Sequence, residues 1–203
     1  MPEKTEIINY YNGMLSYFAD YKKAIPYRLV NVLKSLKELV KPYQKVLDLG
    51  CSIGITSNAM AEIGAEVTAV DIAPDLIKYA IEHNYHTNVK YIVSDAAYLD
   101  LDEVFDIISI IDLFEHLPKE SIKYFMFKLY QWSKFSTVIY INMPHIYAQQ
   151  YYGKKKVGQQ IIENEYYPHQ IINLFKDNRF ILNSFSVYGD YTEYKFMLLQ
   201  DIE

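Results

Sequence analysis

Apolar positions along the chain repeat first at helical spacing and then in short runs. From Lys4 to Asp20, residues Ile7, Ile8, Tyr11, Leu15 and Phe18 fall roughly on one face of a predicted helix. From Pro26 to Val40, residues Leu29, Val32, Leu33, Leu36 and Leu39 form a second stripe. Pro26 suits that helix start, where its missing N–H would have no intrahelical partner, and Pro42 ends the element. Beyond it, short β-branched and apolar runs predict strands at Lys45–Leu49, Glu66–Asp71, Val89–Val93, Phe105–Ile111 and Ser136–Asn142. Between and after them, Ile53–Ile63, Pro74–His83, Lys119–Gln131 and Tyr167–Phe175 read as helices. Phe180–Tyr188 and Tyr191–Leu199 read as two final strands, joined at Gly189-Asp190.

Strands that alternate with helices and lack strict apolar/polar alternation belong to a parallel sheet covered on both faces. Two consecutive strands joined by a tight turn must be antiparallel. The expected fold class is therefore α/β: a three-layer doubly wound Rossmann-like sheet, mostly parallel, with an antiparallel C-terminal hairpin. The expected organisation is one domain over residues 1–203. It divides into a helical N-terminal cap (1–41), a core (43–145), and a loop, late helix and hairpin (146–203).

Composition narrows the class. Of 203 residues, 51% are apolar and 22% charged, the balance of a globular chain. The net charge of −5 supplies no overall electrostatic footprint for DNA or RNA. A single cysteine, Cys51, rules out an intrachain disulfide, and no leader or membrane span stands out, so the cytoplasm is the expected location. The 21 tyrosines have two readings, an AT-rich coding sequence or a concentration of rings around a ligand pocket.

The chemistry begins at Val46-Leu47-Asp48-Leu49-Gly50-Cys51-Ser52-Ile53-Gly54, a strand that enters a glycine turn and then a helix. Gly50 lets the main chain turn sharply and lets a ligand lie against it, and Gly54 permits close packing at the helix start. The N–H groups at that helix start suit an anionic group. Asp71 ends the next strand, about twenty residues on, where an acid can accept both ribose hydroxyls of an adenosine. The alternative is that Asp71 only caps the helix near Pro74. A dinucleotide fingerprint beginning at Gly50 would place glycines at 52 and 55, where Ser52 and Ile55 stand, so NAD fits poorly. No phosphate-binding G-x-x-x-x-G-K-[ST] motif occurs.

These residues resemble the class I S-adenosylmethionine-dependent methyltransferases of the small-molecule type. The first motif stands as D-L-G-C-S-I-G (48–54), with Ser52 in place of the middle glycine. The resemblance continues through V-T-A-V-D-I-A-P (67–74), V-S-D-A-A (93–97) and F-D-I-I-S-I-I-D-L-F-E-H-L-P (105–118), and spans about residues 43–145. It implies S-adenosylmethionine as cofactor and S-adenosylhomocysteine as product. Asp48 and the backbone at Gly50 would hold the amino-acid end, with Cys51, Ser52 and Gly54 of the turn also among the cofactor-binding residues. Asp71 would hold the ribose, Ile72 would pack on the adenine, and Asp95 and Ala96 would frame it. The main chain at Ile111 would close the methionine side. Tyr11, Tyr27 and Arg28 lie in helices that such proteins fold over the cofactor, and Arg28 could meet its carboxylate in two-point fashion.

Methyl transfer from a sulfonium is an in-line displacement that needs alignment and, for an oxygen or nitrogen nucleophile, a base. The candidate bases are Glu115, His116, His145 and His169, each also compatible with a structural or exposed role. Asp112, Glu115, His116 and two later histidines could alternatively bind a divalent metal, as in small-RNA 2′-O-methyltransferases, but the motif is common in the family without metal and none is expected. The segment Gln149–Asn164 is the least family-like stretch. Tyr151 and Tyr152 could stack on an acceptor, and Lys154, Lys155 and Lys156 could meet a phosphate. The expected acceptor is therefore a small polar metabolite, a nucleotide-linked sugar among the candidates. DNA and membrane are not expected partners, and the chain is a monomer or homodimer. An RNA or protein methyltransferase, and a non-catalytic S-adenosylmethionine-binding protein, remain alternatives.

Overall fold

The computed structural model describes residues 2–155 and 160–199. The chain clusters into two compact units, Met1–Ala96 and Ala97–Glu203.

In the first unit, α1 (Lys4–Gly13), α2 (Leu15–Ala19), a 3-10 turn (Asp20–Lys22) and α3 (Tyr27–Leu39) precede two βα repeats and a third strand. These hold β1 (Lys45–Leu49), α4 (Ile55–Glu62), β2 (Glu66–Asp71), α5 (Pro74–His83) and β3 (Val89–Val93). The strands run parallel in the order β3-β2-β1. Val46 to Leu49 are all buried, as are Val67 to Asp71, which explains why neither strand alternates apolar with polar residues. Both strands therefore end in the core, and their last residues deliver Asp48 and Asp71 to the same end of the sheet.

In the second unit, β4 (Phe105–Ile111) leads into 3-10 turns at Phe114–His116 and Lys119–Ser121, then α6 (Ile122–Gln131) and β5 (Ser133–Pro144). There follow α7 (Ile146–Lys155), α8 (Pro168–Asp177), β6 (Phe180–Tyr188) and β7 (Tyr191–Leu198). Here the order is β4-β5-β7-β6, with β4 and β5 parallel and β7 antiparallel to both its neighbours. Phe175 of α8 stacks on Phe196 of β7 at 4.2 Å and reaches Phe180 and Phe114 at 5.8 and 6.0 Å. Phe114 also meets Phe125 of α6, so the turn after β4 is anchored in aromatic packing that contributes about 0.5–1.5 kcal/mol per pair beyond area burial.

Most expected boundaries hold, and three differ for local reasons. The first helix breaks between Gly13 and Leu15 and ends in a 3-10 turn. β5 begins at Ser133 rather than Ser136, because a register irregularity pairs Ser133 with Phe105 before regular pairing resumes at Val138. The segment expected as an acceptor loop from Gln149 is helical to Lys155 as part of α7. Its buried contacts are confined to Ile146 and Ala148, too few to show as a helical stripe in the sequence. Among the described residues no helix is long and apolar enough to cross a membrane.

Candidate cofactor site and acceptor-side groups

The glycine turn alternates in backbone sign. Gly50, Ser52 and Gly54 have φ of 75°, 51° and 82°. The N–H groups of Gly50 and Cys51 both donate to the Val70 carbonyl, at 2.8 and 3.0 Å, which ties the turn to the end of β2. The Ser52 N–H donates to Asp71 Oδ2 at 2.8 Å, and the Ala73 N–H to Oδ1 at 2.9 Å. Asp71 therefore takes these two N–H groups on separate oxygens and the Ile72 N–H as well, and with about four lone-pair sites on a carboxylate it keeps acceptor capacity for a ligand hydroxyl. It does hold the start of the α5 segment, and that leaves its capacity for a ribose intact. Burial raises its pKa from 3.8 to about 6, against the lowering effect of the Ala73, Ser52 and Ile72 N–H groups, and the Asp48 charge adds to the rise.

Asp48 is nearly sealed. Its Oδ2 accepts the hydroxyls of Thr56 and Ser57 at 2.9 and 2.6 Å, so the acid ties the first turns of α4 to β1. Cys51 is buried and its thiol pKa is pushed well up, mainly by desolvation and then by the two acids, so this thiol is not poised for reaction. Gly54 is required twice over. Its φ is left-handed, and a Cβ there would collide with the Tyr91 side chain. Tyr91 Oη lies 3.2 Å from Asn58 Oδ1 and 3.3 Å from the Asn84 carbonyl. Asn84 Nδ2 donates to the Ile53 carbonyl within the turn. This Tyr91–Asn58–Asn84 support was absent from the sequence reading, because Asn58 lies 26 and 33 residues from its two partners and none of the three belongs to a motif. The Asn84 position just past the end of α5 was the one available signal.

Ser52 departs from glycine at a cost. A left-handed backbone costs a non-glycine residue about 1–2 kcal/mol. Its Oγ is shielded from solvent and has no hydrogen-bond partner. An unpaired polar atom beside an acid with spare lone pairs fits a cofactor rich in hydroxyls.

Tyr11 packs with Leu15 and Phe18 against Ile53, Ala73 and Leu76, so the N-terminal helices lie over the glycine turn and the start of α5. Asn12 Oδ1 accepts the Asp75 N–H at 3.0 Å and caps that helix from α1. Arg28 is half-buried, with Nη2 3.4 Å from the Tyr21 hydroxyl and its guanidinium 6.0 Å from that ring. Tyr27 is exposed. Ile72 is half-buried, Ala96 buried, and Asp95 pairs with Lys4 at 3.4 Å.

In the second unit, Ile111 ends β4 half-buried, and the Asp112 N–H donates to the Asn142 carbonyl at 2.9 Å. Glu115 is fully buried and His116 nearly so. His116 Nδ1 lies 2.7 Å from the Ile162 carbonyl, which only accepts, so Nδ1 carries a proton. Its Nε2 faces Glu115 Oε1 at 3.6 Å, and Glu163 stands 3.8 Å from Nδ1. Asn164, absent from the sequence reading, fastens this arrangement. Its N–H and Nδ2 donate to the Glu115 carbonyl at 2.9 and 3.0 Å, and Nδ2 also donates to the Leu117 carbonyl at 2.7 Å. Gln149 of α7 donates in turn to the Asn164 carbonyl.

His145 begins the turn into α7. Its N–H donates to the Asp190 carbonyl at 2.6 Å, and its Nδ1 accepts the Tyr147 N–H over a long 3.3 Å. His169 is exposed and stacked on Tyr167. Tyr152 donates to Asp190 at 3.0 Å, and Lys155 lies 4.2 Å over the Tyr151 ring. Lys154 is exposed, and Lys156 lies outside the described residues. Among the described residues no group of three or more acids, histidines or cysteines could hold a metal ion.

Residues 46–135 match a family model described as a methyltransferase domain. The match takes in 90 of the 203 residues, and over that stretch the chain is similar to a methyltransferase domain. The ubiquinone biosynthesis O-methyltransferase of Xanthomonas campestris pv. campestris (strain B100) is 40% identical over 81 residues, which are 38% of this chain and 34% of that protein. The chain thus aligns with about a third of the length of such curated relatives. Among solved structures, DhpI in complex with S-adenosylhomocysteine superposes with a TM-score of 0.77 at 15% identity, over 97% of each chain. The magnesium protoporphyrin IX methyltransferase of Synechocystis PCC 6803, with bound S-adenosylhomocysteine, gives 0.76 at 18%, over 96% of this chain and 99% of the other. At that identity the two structures speak for the fold. This is the doubly wound methyltransferase arrangement with its antiparallel C-terminal strands.

Proposed function

We propose that this chain moves the methyl group of S-adenosylmethionine to an oxygen or nitrogen of a small polar metabolite. The observation that carries the reading is the Gly50–Gly54 turn with Asp71 held by the Ser52 and Ala73 N–H groups and offering spare lone pairs.

When bound, the cofactor supplies a methyl group already activated on a sulfonium. In this reading Asp71 accepts the ribose hydroxyls, and Gly50 and the first turn of α4 face the amino-acid end. Asp48 keeps α4 in place through Thr56 and Ser57. Ile72 packs on the adenine, with Asp95 and Ala96 at its edge. Tyr11 and Arg28 belong to the cover. His145 is our choice for the base. It is half-buried at the carboxyl end of β5, and its one ring hydrogen bond is long enough to yield. Glu115 and His116 are engaged with each other and with the Ile162–Asn164 segment, which suits a positioning role. His169, exposed on α8, is the weakest of the four as a base.

An oxygen acceptor is favoured by the O-methyltransferase name of the 40% identical relatives. A nucleotide-linked sugar, within the same class, rests on exposed Lys154 and Lys155. The single buried cysteine suits a reducing cytoplasm.

The test is transfer of an isotope-labelled methyl group to a panel of phenols, amines and nucleotide-linked sugars. Turnover with one class, lowered about 100-fold or more by His145→Ala, is expected. Transfer to phenols alone would reject the nucleotide-sugar acceptor. Tight cofactor binding with no transfer to any small molecule would move the chain toward an RNA, protein or non-catalytic role.

A further inference from the structure

Ser52 is the residue in the turn that glycine would replace at no backbone cost. Its φ of 51° is left-handed, between Gly50 at 75° and Gly54 at 82°. A strained residue with an unpaired buried polar atom points to a function that the ligand-free contacts do not reveal. The Ser52 hydroxyl is such an atom. Its own N–H is fixed on Asp71 Oδ2 at 2.8 Å, so the hydroxyl belongs to the residue that holds the ribose acid in place.

We propose that the Ser52 hydroxyl and the Asp71 carboxylate form a two-point clamp on one ribose hydroxyl of the cofactor. A ribose hydroxyl has one proton to give and lone pairs to receive. Asp71 takes the proton as acceptor, and the Ser52 O–H fills a lone pair as donor. A carboxylate alone does only the first. A χ1 rotation re-aims the hydroxyl without moving the backbone, because no hydrogen bond holds its present rotamer. A glycine at position 52 keeps the N–H on Asp71 and loses the donor, so the clamp is a property of this chain's departure from the motif. The inference rests on S-adenosylmethionine being the cofactor and adds to it the group that a particular side chain recognises.

The test measures calorimetric affinity for S-adenosylhomocysteine and for 5′-methylthioadenosine, which keeps the ribose and lacks the amino acid. Ser52→Ala should weaken both ligands by the same factor, about fivefold, the size of one neutral hydrogen bond. Ser52→Gly should weaken both alike, yet raise the melting temperature of the ligand-free protein by about 2 °C or more as the backbone strain and the unpaired hydroxyl disappear. Unchanged affinities in both variants would overturn the clamp. A loss confined to S-adenosylhomocysteine would overturn the ribose assignment, since the hydroxyl would then serve the amino-acid end. A Ser52→Gly protein that melts at or below the wild type would remove the strain on which the inference stands. Failure of the wild type to bind either ligand is a separate outcome, and it counts against the cofactor rather than the clamp.

Discussion

The glycine turn of the first unit and the turn after β4 in the second unit are assembled by opposite means. In the first, consecutive backbone conformations place the groups: three left-handed residues within five positions, with N–H groups on Val70 and Asp71. In the second, side-chain contacts bridge segments some 46 to 49 residues apart. Asn164 holds the carbonyls of Glu115 and Leu117, and His116 faces the Ile162 carbonyl. A site encoded in backbone geometry concentrates its requirements in a few glycines and one acid. A site encoded in cross-chain hydrogen bonds spreads them over residues that carry no local pattern. The two regions should therefore fail differently when changed.

The largest effect should come from Gly54→Ala. It forces a Cβ into Tyr91 and an L-residue into φ 82°, and should cost about 3 kcal/mol of stability by thermal or denaturant unfolding. A variant as stable as the wild type would show that the turn is not under the constraint described. Asn164→Ala comes next. It strips a donor from two carbonyls and should cost about 2 kcal/mol, raise amide exchange at 113–117 and 160–166, and leave S-adenosylhomocysteine affinity within about twofold. A large loss of cofactor affinity in that variant would break the contrast between the regions.

That contrast also explains what could be read in advance. The strand at Glu66–Asp71, the helix at Pro74–His83 and the motif from Asp48 to Gly54 are local patterns, and the boundaries of the strand and the helix followed from residue order alone. Asn164 and the Tyr91–Asn58–Asn84 support did not. A single asparagine far along the chain gives no sign of which carbonyls it will meet. The helix α7 escaped as well, because Gln149, Gln150, Tyr151 and Tyr152 carry no apolar stripe and only Ile146 and Ala148 are buried.

The pH dependence sharpens the picture of the first region. The Asp71 carboxyl has its pKa raised from 3.8 to about 6, so the protonated form is favoured in the fold. Its contribution to ligand-free stability is full below about pH 4 and is lost as pH rises through about 6. Cofactor binding should run the other way, because ribose hydroxyls donate to the ionised acid. At pH 5 about a tenth of Asp71 is ionised, so S-adenosylhomocysteine should bind about tenfold more weakly than at pH 7.5. A flat affinity profile by calorimetry across that range would separate Asp71 from the ligand. The smallest effect belongs to Lys154→Ala with Lys155→Ala. Exposed side chains at the end of α7 should change stability by less than about 0.5 kcal/mol, and any rise in acceptor KM would mark a phosphate-bearing acceptor.

The most direct test of the central claim is a calorimetric titration of S-adenosylhomocysteine into the wild type and Asp71→Ala at pH 7.5. The account predicts one site in the wild type and binding weakened by about 100-fold in the variant, the loss expected when hydrogen bonds to a charged acceptor are removed. Equal affinity in the two proteins, or no binding to a folded wild type, would contradict the assignment of the Gly50–Gly54 turn and Asp71 as the cofactor site.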